Sequence, residues 1–319
     1  MSNEERIPLF LSADNNYAPF VATTIASVLM HTNSPVDFYV LEDGITEANK
    51  IKIQNTRKFF KDKDFNVIFI DATKNKNYKN IKFALNTHVT KATYTKFIIP
   101  ELDELKHIKK AIYSDVDVIF VDDIKKMYDI DLEGKPLGAI AYELFGEKCT
   151  NDVMKIHKEK LIKKFNAPED FLYFLGGNLI IDCEYWRKND ISKKLWKVCY
   201  MYQDDPEFIV DQYAMNIVFG NNYKPLPPRW CFAYDILWYL EKFCPNFDKT
   251  VYDEEFKKVV ILHYSYDKPW KSKKGWQAEQ FWRIVPYTDF AKIINKMPYL
   301  EKISKIKGYI MRIIKKFFI

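Results

Sequence analysis

The chain has 319 residues, of which 48% are hydrophobic and 29% are charged, a composition typical of a globular protein. This length can bury one large core or two modest ones, and no obvious linker divides it. No stretch reaches the roughly 18 uninterrupted apolar residues that a membrane span needs, so we expect no integral membrane protein.

The formal net charge of +6 is concentrated at one end of the chain. Residues 299–319 contain six basic residues and one acidic residue, which leaves a charge of only +1 for the rest. A nearly neutral body argues against a nucleic-acid groove, whereas a basic end suits an acidic surface. We therefore expect no nucleic-acid partner.

The cysteines are scattered and show no C-x-x-C spacing; they are Cys149, Cys183, Cys199, Cys231 and Cys244. This pattern predicts reduced, mostly buried thiols rather than a zinc site or a disulfide scaffold. Residues 1–6 are polar and acidic, without the basic start and apolar core of a secretory signal, so a cytoplasmic protein is expected.

Strand-like and helix-like patterns alternate over the first two thirds of the chain, which predicts a mainly parallel sheet flanked by helices. Strands are predicted at residues 7–12, 37–41, 66–71, 110–113, 118–121, 136–142, 177–182 and 259–264. Helices are predicted at residues 20–29, 45–60, 151–164 and 184–202, the second of them opened by Thr46.

The pattern changes at residue 299, where apolar and basic residues fall on separate helical stripes. The apolar stripe contains Ile303, Ile306, Ile310, Ile313 and Phe317. This predicts a basic amphipathic C-terminal helix, and hence a division into a catalytic domain at 1–298 and a tail at 299–319. The tail would either meet an anionic membrane surface or dock on the body of the protein.

Two aspartates stand at the predicted end of a strand, in the sequence Asp115-Val116-Asp117. In extended chain, residues two apart face the same way, so both carboxylates would converge while Val116 packs inward. Such oxygen donors at the carboxyl edge of a parallel sheet suit a divalent cation that also holds a diphosphate. The alternative is a strand end with two solvated aspartates.

His263 and Lys268 follow the last predicted strand. An imidazole nitrogen added to two carboxylates would favour manganese over calcium, and the Lys268 ammonium would neutralise phosphate oxygens. An ordinary structural histidine is the alternative.

Polar and aromatic side chains follow the first strand, at the edge where open α/β sheets bind ligands. Ser12, Asp14, Asn16 and Tyr17 offer hydrogen-bond partners and an aromatic plane for a base and a ribose. The alternative is a β-to-α turn in which Asp14 or Asn15 caps the helix.

Asp211 and Gln212 begin a helical segment whose next residues are apolar. An acid and an amide at this place would orient a sugar and stabilise positive charge on its anomeric carbon. Asp211 could instead be a simple helix cap.

These segments together resemble glycosyltransferase family 8, the retaining enzymes that include bacterial lipooligosaccharide galactosyltransferases and glycogenin. The resemblance covers about residues 7–282. It is carried by Leu-Ser-Ala-Asp-Asn-Asn-Tyr from residue 11, Tyr-Ser-Asp-Val-Asp from residue 113, Asp-Gln at residue 211 and His-Tyr-Ser-Tyr-Asp-Lys-Pro-Trp from residue 263.

The resemblance implies a single-domain GT-A fold, a UDP-glucose or UDP-galactose donor, and Mn²⁺ or Mg²⁺ as cofactor. It also implies a glycan or glycolipid acceptor of the lipopolysaccharide type, and a protein held at the inner face of the cell membrane by its tail. The implied metal ligands are Asp115, Asp117 and His263, and the implied catalytic residues are Asp211 and Gln212. The implied donor-binding residues are Ser12, Asp14, Asn16, Tyr17, Lys96, Asp115 and Lys268.

The sequence departs from the family pattern at several positions. Tyr213 follows Asp-Gln where close relatives have a carboxylate, which favours front-face departure and attack over a covalent intermediate. Leu175-Gly176-Gly177 stands where Asn-Ala-Gly or Asn-Ser-Gly is usual, and Asn178 is a possible replacement for the missing amide. Lys96 replaces a common arginine, and Tyr266 replaces a common glycine.

These departures keep two other functions open. One is a self-glucosylating protein like glycogenin, which the 21 tyrosines allow. The other is a catalytically silent protein that binds sugar nucleotides.

Overall fold

A computed structural model describes residues 5–83, 90–141, 152–233, 249–265 and 268–302. Cys149, Cys244 and Tyr266 lie outside these ranges, as does the predicted tail helix from Ile303 onward. Among the described residues, Cys183, Cys199 and Cys231 are free and buried, as the sequence predicted.

The strands of the described chain form two sheets. In chain order they are β1 (Ile7–Asp14), β2 (Val36–Asp43), β3 (Phe65–Asp71), β4 (Lys110–Ser114), β5 (Val118–Phe120), β6 (Leu137–Ala141), β7 (Phe174–Asp182), β8 (Lys224–Leu226), β9 (Phe232–Ala233) and β10 (Ile261–His263). The large sheet has the order β3-β2-β1-β4-β7-β6-β8, and the small sheet has the order β5-β10-β9.

Most neighbours in the large sheet are parallel. Only β7 runs against both of its neighbours, β4 and β6. The mainly parallel sheet predicted from the sequence is therefore confirmed. In the small sheet, β10 is antiparallel to β5 and parallel to β9.

Helices cover the sheet. They are α1 (Ala18–His31), α2 (Glu47–Gln54), α3 (Lys76–Asn80), α4 (Lys125–Tyr128), α5 (Asp152–Phe165), α6 (Cys183–Lys188), α7 (Ile191–Tyr202), α8 (Val210–Phe219), α9 (Lys249–Phe256), α10 (Ala278–Ile284) and α11 (Ala291–Ile294). A further helix starts at residue 297 and reaches the end of the described chain at 302. None of the described helices is both long enough and apolar enough to cross a bilayer.

The apolar side chains of the sheet are buried on both faces. Along β1, Leu9 and Leu11 belong to one core cluster, while Phe10 between them belongs to the other. The same alternation occurs along β7, where Ile180 and Ile181 belong to different clusters. This two-sided burial explains the nearly continuous apolar runs in these strands.

Several predicted boundaries are wrong. The helix predicted at 184–202 is two helices, because Asp190 adopts a left-handed backbone with φ of +52°. The helix predicted at 45–60 ends at Gln54 and continues as a 3₁₀ turn over Asn55–Lys58, where the Asn55 amide donates to Asp289. The last predicted strand covers only Ile261–His263.

A 3₁₀ segment over Lys91–Glu101 was not predicted. It has no helical periodicity in its sequence, yet eight of its eleven residues are buried. Tertiary contacts rather than local propensity therefore define this segment, which contains Lys96.

Candidate active site

Two strand ends bring three potential metal ligands together. Asp115 and Asp117 lie in the bend between β4 and β5, and Val116 is buried between them. His263 ends β10, and the pairing of β10 with β5 sets it opposite Val118, next to Asp117. One ligand atom from each of the three side chains lies within 4.8 Å of the others. The structure thus gathers the three residues that the sequence singled out.

The donor set fits a divalent cation. Two carboxylates and one imidazole provide oxygen and nitrogen ligands of the kind that such ions take in proteins. Gly177 leaves room beside them, because a Cβ at this position would lie 2.7 Å from Oδ2 of Asp115. A side chain here would collide with the first carboxylate.

Asp117 is held in its charged form by two basic neighbours. Burial by itself raises its pKa, but His263 and Lys268 together bring the pKa of Asp117 well below its ordinary value. The Nε2 atom of His263 lies 3.3 Å from Oδ1, and the Lys268 ammonium donates to Oδ2. For His263 burial acts in the opposite direction and lowers the pKa. The Asp117 carboxylate outweighs this effect, so the pKa of His263 is well above its ordinary value. The Asp117 carboxylate is therefore balanced by positive charge on His263 and Lys268.

Asp115 has a different environment. Its backbone N–H donates to the Gly177 carbonyl at 2.7 Å, and Oδ1 accepts from the Tyr113 hydroxyl at 2.9 Å. Burial raises the pKa of Asp115 to about 6, although the Lys96 charge opposes the increase. Because a carboxyl group must be deprotonated to bind a metal ion, protonation of Asp115 would compete with cation binding below a pH of about 6.

The three side chains face a cleft of about 250 Å³. The predicted donor-binding residues that line it are Ser12, Asp14, Tyr17, Asp115 and Lys268. The cleft lies at the carboxyl ends of β1 and β4, where open α/β sheets bind ligands.

The Ser12 hydroxyl forms hydrogen bonds within the protein. Its hydroxyl donates to the Ala92 carbonyl at 2.6 Å and accepts from the Thr95 hydroxyl at 2.8 Å. These bonds attach the 3₁₀ segment to β1, so Ser12 shapes the wall of the cleft.

The loop after β1 forms a β-to-α turn, but neither Asp14 nor Asn15 is the helix cap that the sequence offered as an alternative. Oδ1 of Asp14 accepts from the backbone N–H groups of Asn16 and Tyr17 at 2.9 and 3.1 Å. Tyr17 occupies the N-cap position of α1, and its half-buried ring contacts Phe20 edge to face. The turn thereby presents the Tyr17 ring to the cleft, while Asn16 is exposed beside it.

A second polar group lies behind β7. Lys96 is only 1% exposed, and its ammonium lies 2.6 Å from Oδ2 of Asp211 and 2.7 Å from the Gly176 carbonyl. It also lies 4.6 Å from the centre of the Tyr113 ring. Asp211 therefore forms a buried ion pair and is not a helix cap, and α8 begins one residue earlier, at Val210.

Gln212 is attached to the same strand. Its Oε1 accepts from the Gly176 N–H at 2.9 Å, and its amide nitrogen donates to the Phe174 carbonyl. A Cβ on Gly176 would contact Asp211, Gln212 and Lys96 within 3.5 Å. The two adjacent glycines thus allow side chains to approach the backbone of β7 closely. The Lys96–Asp211 ion pair does so at Gly176, and the candidate metal ligands do so at Gly177.

The departures from the family pattern have definite positions. Tyr213 is fully buried, and its hydroxyl lies 2.6 Å from Nδ1 of His157. Asn178 is also fully buried; its amide oxygen accepts from Ser114 and its amide nitrogen donates to Cys231. The Asn178 amide is thus committed to protein partners.

Several important residues were missed in the sequence. Tyr113 lies two residues before Asp115, so strand periodicity placed it on the same face and would have been a usable signal. Gly177 was noted only as part of a family pattern, and its role depends on distances. Cys231 contacts His263 across 32 residues, and no local pattern indicates this.

A mainly parallel sheet with a cleft at its carboxyl edge, and an Asp-Asp-His group in that cleft, is the arrangement expected of a GT-A glycosyltransferase with a divalent metal site. The model of glycosyl transferase family 8 matches residues 8–274, so the chain belongs to that family.

The chain is also similar to individual proteins of known sequence and structure. General stress protein A of Bacillus subtilis is 28% identical over 301 residues, covering 92% of this chain and 98% of its own. Glycosyltransferase GlyF of Streptococcus pneumoniae is 25% identical over 311 residues, covering 96% of this chain and 68% of its own. The galactosyltransferase LgtC, solved with donor and acceptor sugar analogs, has a TM-score of 0.68 at 23% identity, covering 89% of this chain and 96% of its own.

Proposed function

We propose that this glycosyltransferase moves glucose or galactose from a UDP donor to a hydroxyl of a cell-surface glycan, with retention of configuration and dependence on Mn²⁺. The observation that carries the proposal is the convergence of Asp115, Asp117 and His263 in an open cleft beside Lys268. LgtC, which shares the fold, is a galactosyltransferase solved with donor and acceptor sugar analogs, and this supports a hexose donor and a glycan acceptor.

The ligands support manganese over calcium, because one of the three is nitrogen. When bound, the cation would supply Lewis-acid stabilisation of the leaving diphosphate. The Lys268 ammonium is paired with the Asp117 carboxylate and lines the cleft. It is therefore placed to neutralise phosphate oxygens there. The Tyr17 ring at the other wall offers a surface for the base or ribose.

The position of Asp211 supports a route without a protein nucleophile. Asp211 is 5% exposed and its carboxylate is paired with Lys96, and Tyr213, two residues later, is fully buried. We infer that Lys96 holds Asp211 against β7, and that Asp211 and Gln212 stabilise positive charge developing on the sugar. The acceptor hydroxyl would then pass its proton to the leaving diphosphate.

The proposal also includes attachment of the protein to an anionic membrane surface. Exposed apolar residues lie before and at the start of the tail, at Ile293, Tyr299 and Leu300. The exposed lysines Lys292 and Lys296 lie among them in the sequence. Apolar and basic groups together suit the interface of an anionic leaflet. The protein would therefore work at the cytoplasmic face of the cell membrane, where a glycolipid acceptor is reachable.

The test is hydrolysis and transfer with a panel of UDP-sugars in the presence of Mn²⁺, Mg²⁺ or a chelator. Asp117→Asn should lower turnover by about a hundredfold or more, because it removes one carboxylate ligand. Asp122→Asn is the matched control, since Asp122 forms a surface ion pair with Lys126. Full activity of Asp117→Asn, or activity in chelator, would contradict the metal assignment.

The same reaction separates the other functions. Intact-mass analysis after incubation with donor would reveal added hexose only if the protein glucosylates itself. Donor binding without turnover on any acceptor would indicate a catalytically silent protein.

A further inference from the structure

We propose that Cys231 is a positioning residue for the metal site, acting as the hydrogen-bond acceptor that orients His263 toward the cation. This inference rests on the proposed metal-dependent function. Its starting observation is a buried polar chain behind the site that contains Ser114, Asn178 and Cys231 and ends on the His263 ring.

The two nitrogens of His263 face different partners. Nε2 lies 3.3 Å from Oδ1 of Asp117, on the side of the candidate ligands, whereas Nδ1 lies 3.5 Å from Sγ of Cys231. If Nε2 binds a cation, the ring proton must reside on Nδ1, and this N–H then requires an acceptor. Sγ is the atom placed to accept it.

The sulfur is fixed from two sides. Cys231 is fully buried immediately before β9, which pairs with β10 so that Ala233 lies opposite His263. The Asn178 amide nitrogen donates to Sγ at 3.0 Å. The backbone pairing and this hydrogen bond leave the sulfur little freedom to move.

The chain also reaches the first ligand. Asn178 accepts from the Ser114 hydroxyl at 2.7 Å, and that hydroxyl lies 2.9 Å from the Asp115 carbonyl. The backbone of Asp115 and the ring of His263 are therefore connected through buried side chains only. Partners of this kind, which touch a ligand but not the metal, set ligand orientation and metal affinity.

Cys231 would act through its acceptor atom and not through its volume. Removing that atom leaves two N–H donors without their acceptor, a buried one from Asn178 and a part-buried one from His263. The ring is then free to rotate or to take the other tautomer, with Nε2 protonated and unable to bind. A serine at this position keeps an acceptor, whereas alanine and valine do not.

The experiment measures Mn²⁺ binding to the full chain without donor, by electron paramagnetic resonance of the free ion. Cys231→Ala and Cys231→Val should raise the Mn²⁺ dissociation constant by about 10- to 100-fold, and Cys231→Ser by no more than about threefold. Cys183→Ala is the matched control, because Cys183 is also buried, with 1% exposed. In the described part of the chain its Sγ forms one hydrogen bond, to the Ile181 carbonyl. Urea unfolding in chelator reports the stability of each variant.

The readouts separate positioning from packing. If Cys231→Ala binds Mn²⁺ as tightly as Cys183→Ala, or if Cys231→Ser binds as weakly as Cys231→Ala, the positioning role is wrong. Cys231→Val fills the space that alanine leaves, so it tests the acceptor even if Cys231→Ala does not fold. Failure of the unaltered protein to bind Mn²⁺ would overturn the proposed metal dependence and this inference with it, whereas normal binding by every variant overturns this inference alone.

Discussion

At the scale of single residues, Gly177 determines how close β7 comes to the first aspartate. A Cβ on Gly177 would lie 2.7 Å from Oδ2 of Asp115, an impossible approach, and 3.8 Å from the His263 ring. The obstructing atom is the end of a side chain, so the carboxylate can yield while the backbone stays in place. A side chain at this position should therefore lower turnover more than it lowers the stability of the fold.

Gly177→Ala tests this expectation. Displacement of Asp115 should lower metal-dependent turnover by about 10- to 100-fold, while the free energy of unfolding changes by no more than about 1 kcal/mol. Turnover under saturating Mn²⁺ and urea unfolding are the measurements.

Gly138→Ala is the control with the opposite pattern. Its Cβ would lie 3.0 Å from Leu132 and 3.3 Å from Leu226, inside the core. Overpacking of this kind costs about 1–3 kcal/mol of stability, and turnover should be unchanged. Equal loss of turnover in the two variants would contradict the role of Gly177.

Sequence could identify site residues by type and spacing, but it could not identify their partners. Asp115 and Asp117 were visible because they follow an apolar strand, and His263 because it ends another. Lys96 was predicted to contact the donor, yet in the fold it is buried against Asp211, a residue 115 positions away. Such an ion pair has no signature within either local segment.

At the scale of elements, α5 and α8 are joined by one polar contact within an aromatic cluster. Nδ1 of His157 on α5 lies 2.6 Å from the Tyr213 hydroxyl on α8, and the His157 ring stacks on Tyr173. Burial raises the pKa of Tyr213 to about 12, so the phenol remains a donor to a neutral imidazole. This contact fixes the helix that also carries Asp211 and Gln212.

The contact should make stability depend on pH. Burial, followed by the Lys160 charge, lowers the pKa of His157 below its ordinary value. The unfolded chain therefore takes up a proton more readily, so the contribution of His157 is complete above its unfolded pKa of about 6.5 and decreases as the pH falls below it. The free energy of unfolding should fall less in His157→Gln than in the unaltered protein between about pH 7.5 and 5.5.

His107→Gln is the control, because His107 is exposed. Urea unfolding of the three proteins at both pH values is the measurement. Identical pH dependence in His157→Gln and the unaltered protein would show that this imidazole is not linked to folding.

Local pattern predicted the existence of elements better than their ends. The strands β1 to β3 and the helix α1 follow from apolar periodicity, and the structure has all four. The break at Asp190 and the 3₁₀ segment around Lys96 depend on backbone geometry and on contacts far along the chain. Periodicity carries no information about either.

At the scale of the whole molecule, the site depends on where two sheets meet. The chain leaves the large sheet after β4, passes through Asp115 and Asp117, and enters the small sheet at β5. The small sheet then returns His263 to the same point from a segment nearly 150 residues later. The grouping of the three candidate ligands is therefore a product of topology. The sequence indicated each residue at a strand end, but not the strand pairing that brings them together.

Residues 299–319 are the segment that we propose to contact an anionic membrane surface. Residues 299–319 carry a net charge of +5, which at about 1 kcal/mol per basic residue near an anionic leaflet is sufficient for reversible attachment. Deletion of 299–319 should abolish sedimentation with vesicles that contain phosphatidylserine, and should leave hydrolysis of a soluble donor unchanged. Binding of the unaltered protein should weaken as salt rises, because screening reduces the attraction.

Charge can be separated from the apolar stripe without shortening the chain. Changing Lys302, Lys305 and Lys307 to glutamine should weaken vesicle binding at least about tenfold, since three charges are lost. Changing the same three residues to arginine keeps the charge and should leave binding nearly as it was. If the deletion still sediments with these vesicles as the full chain does, the tail is not the membrane contact, and docking of residues 299–319 on the body becomes the better account of their amphipathic pattern.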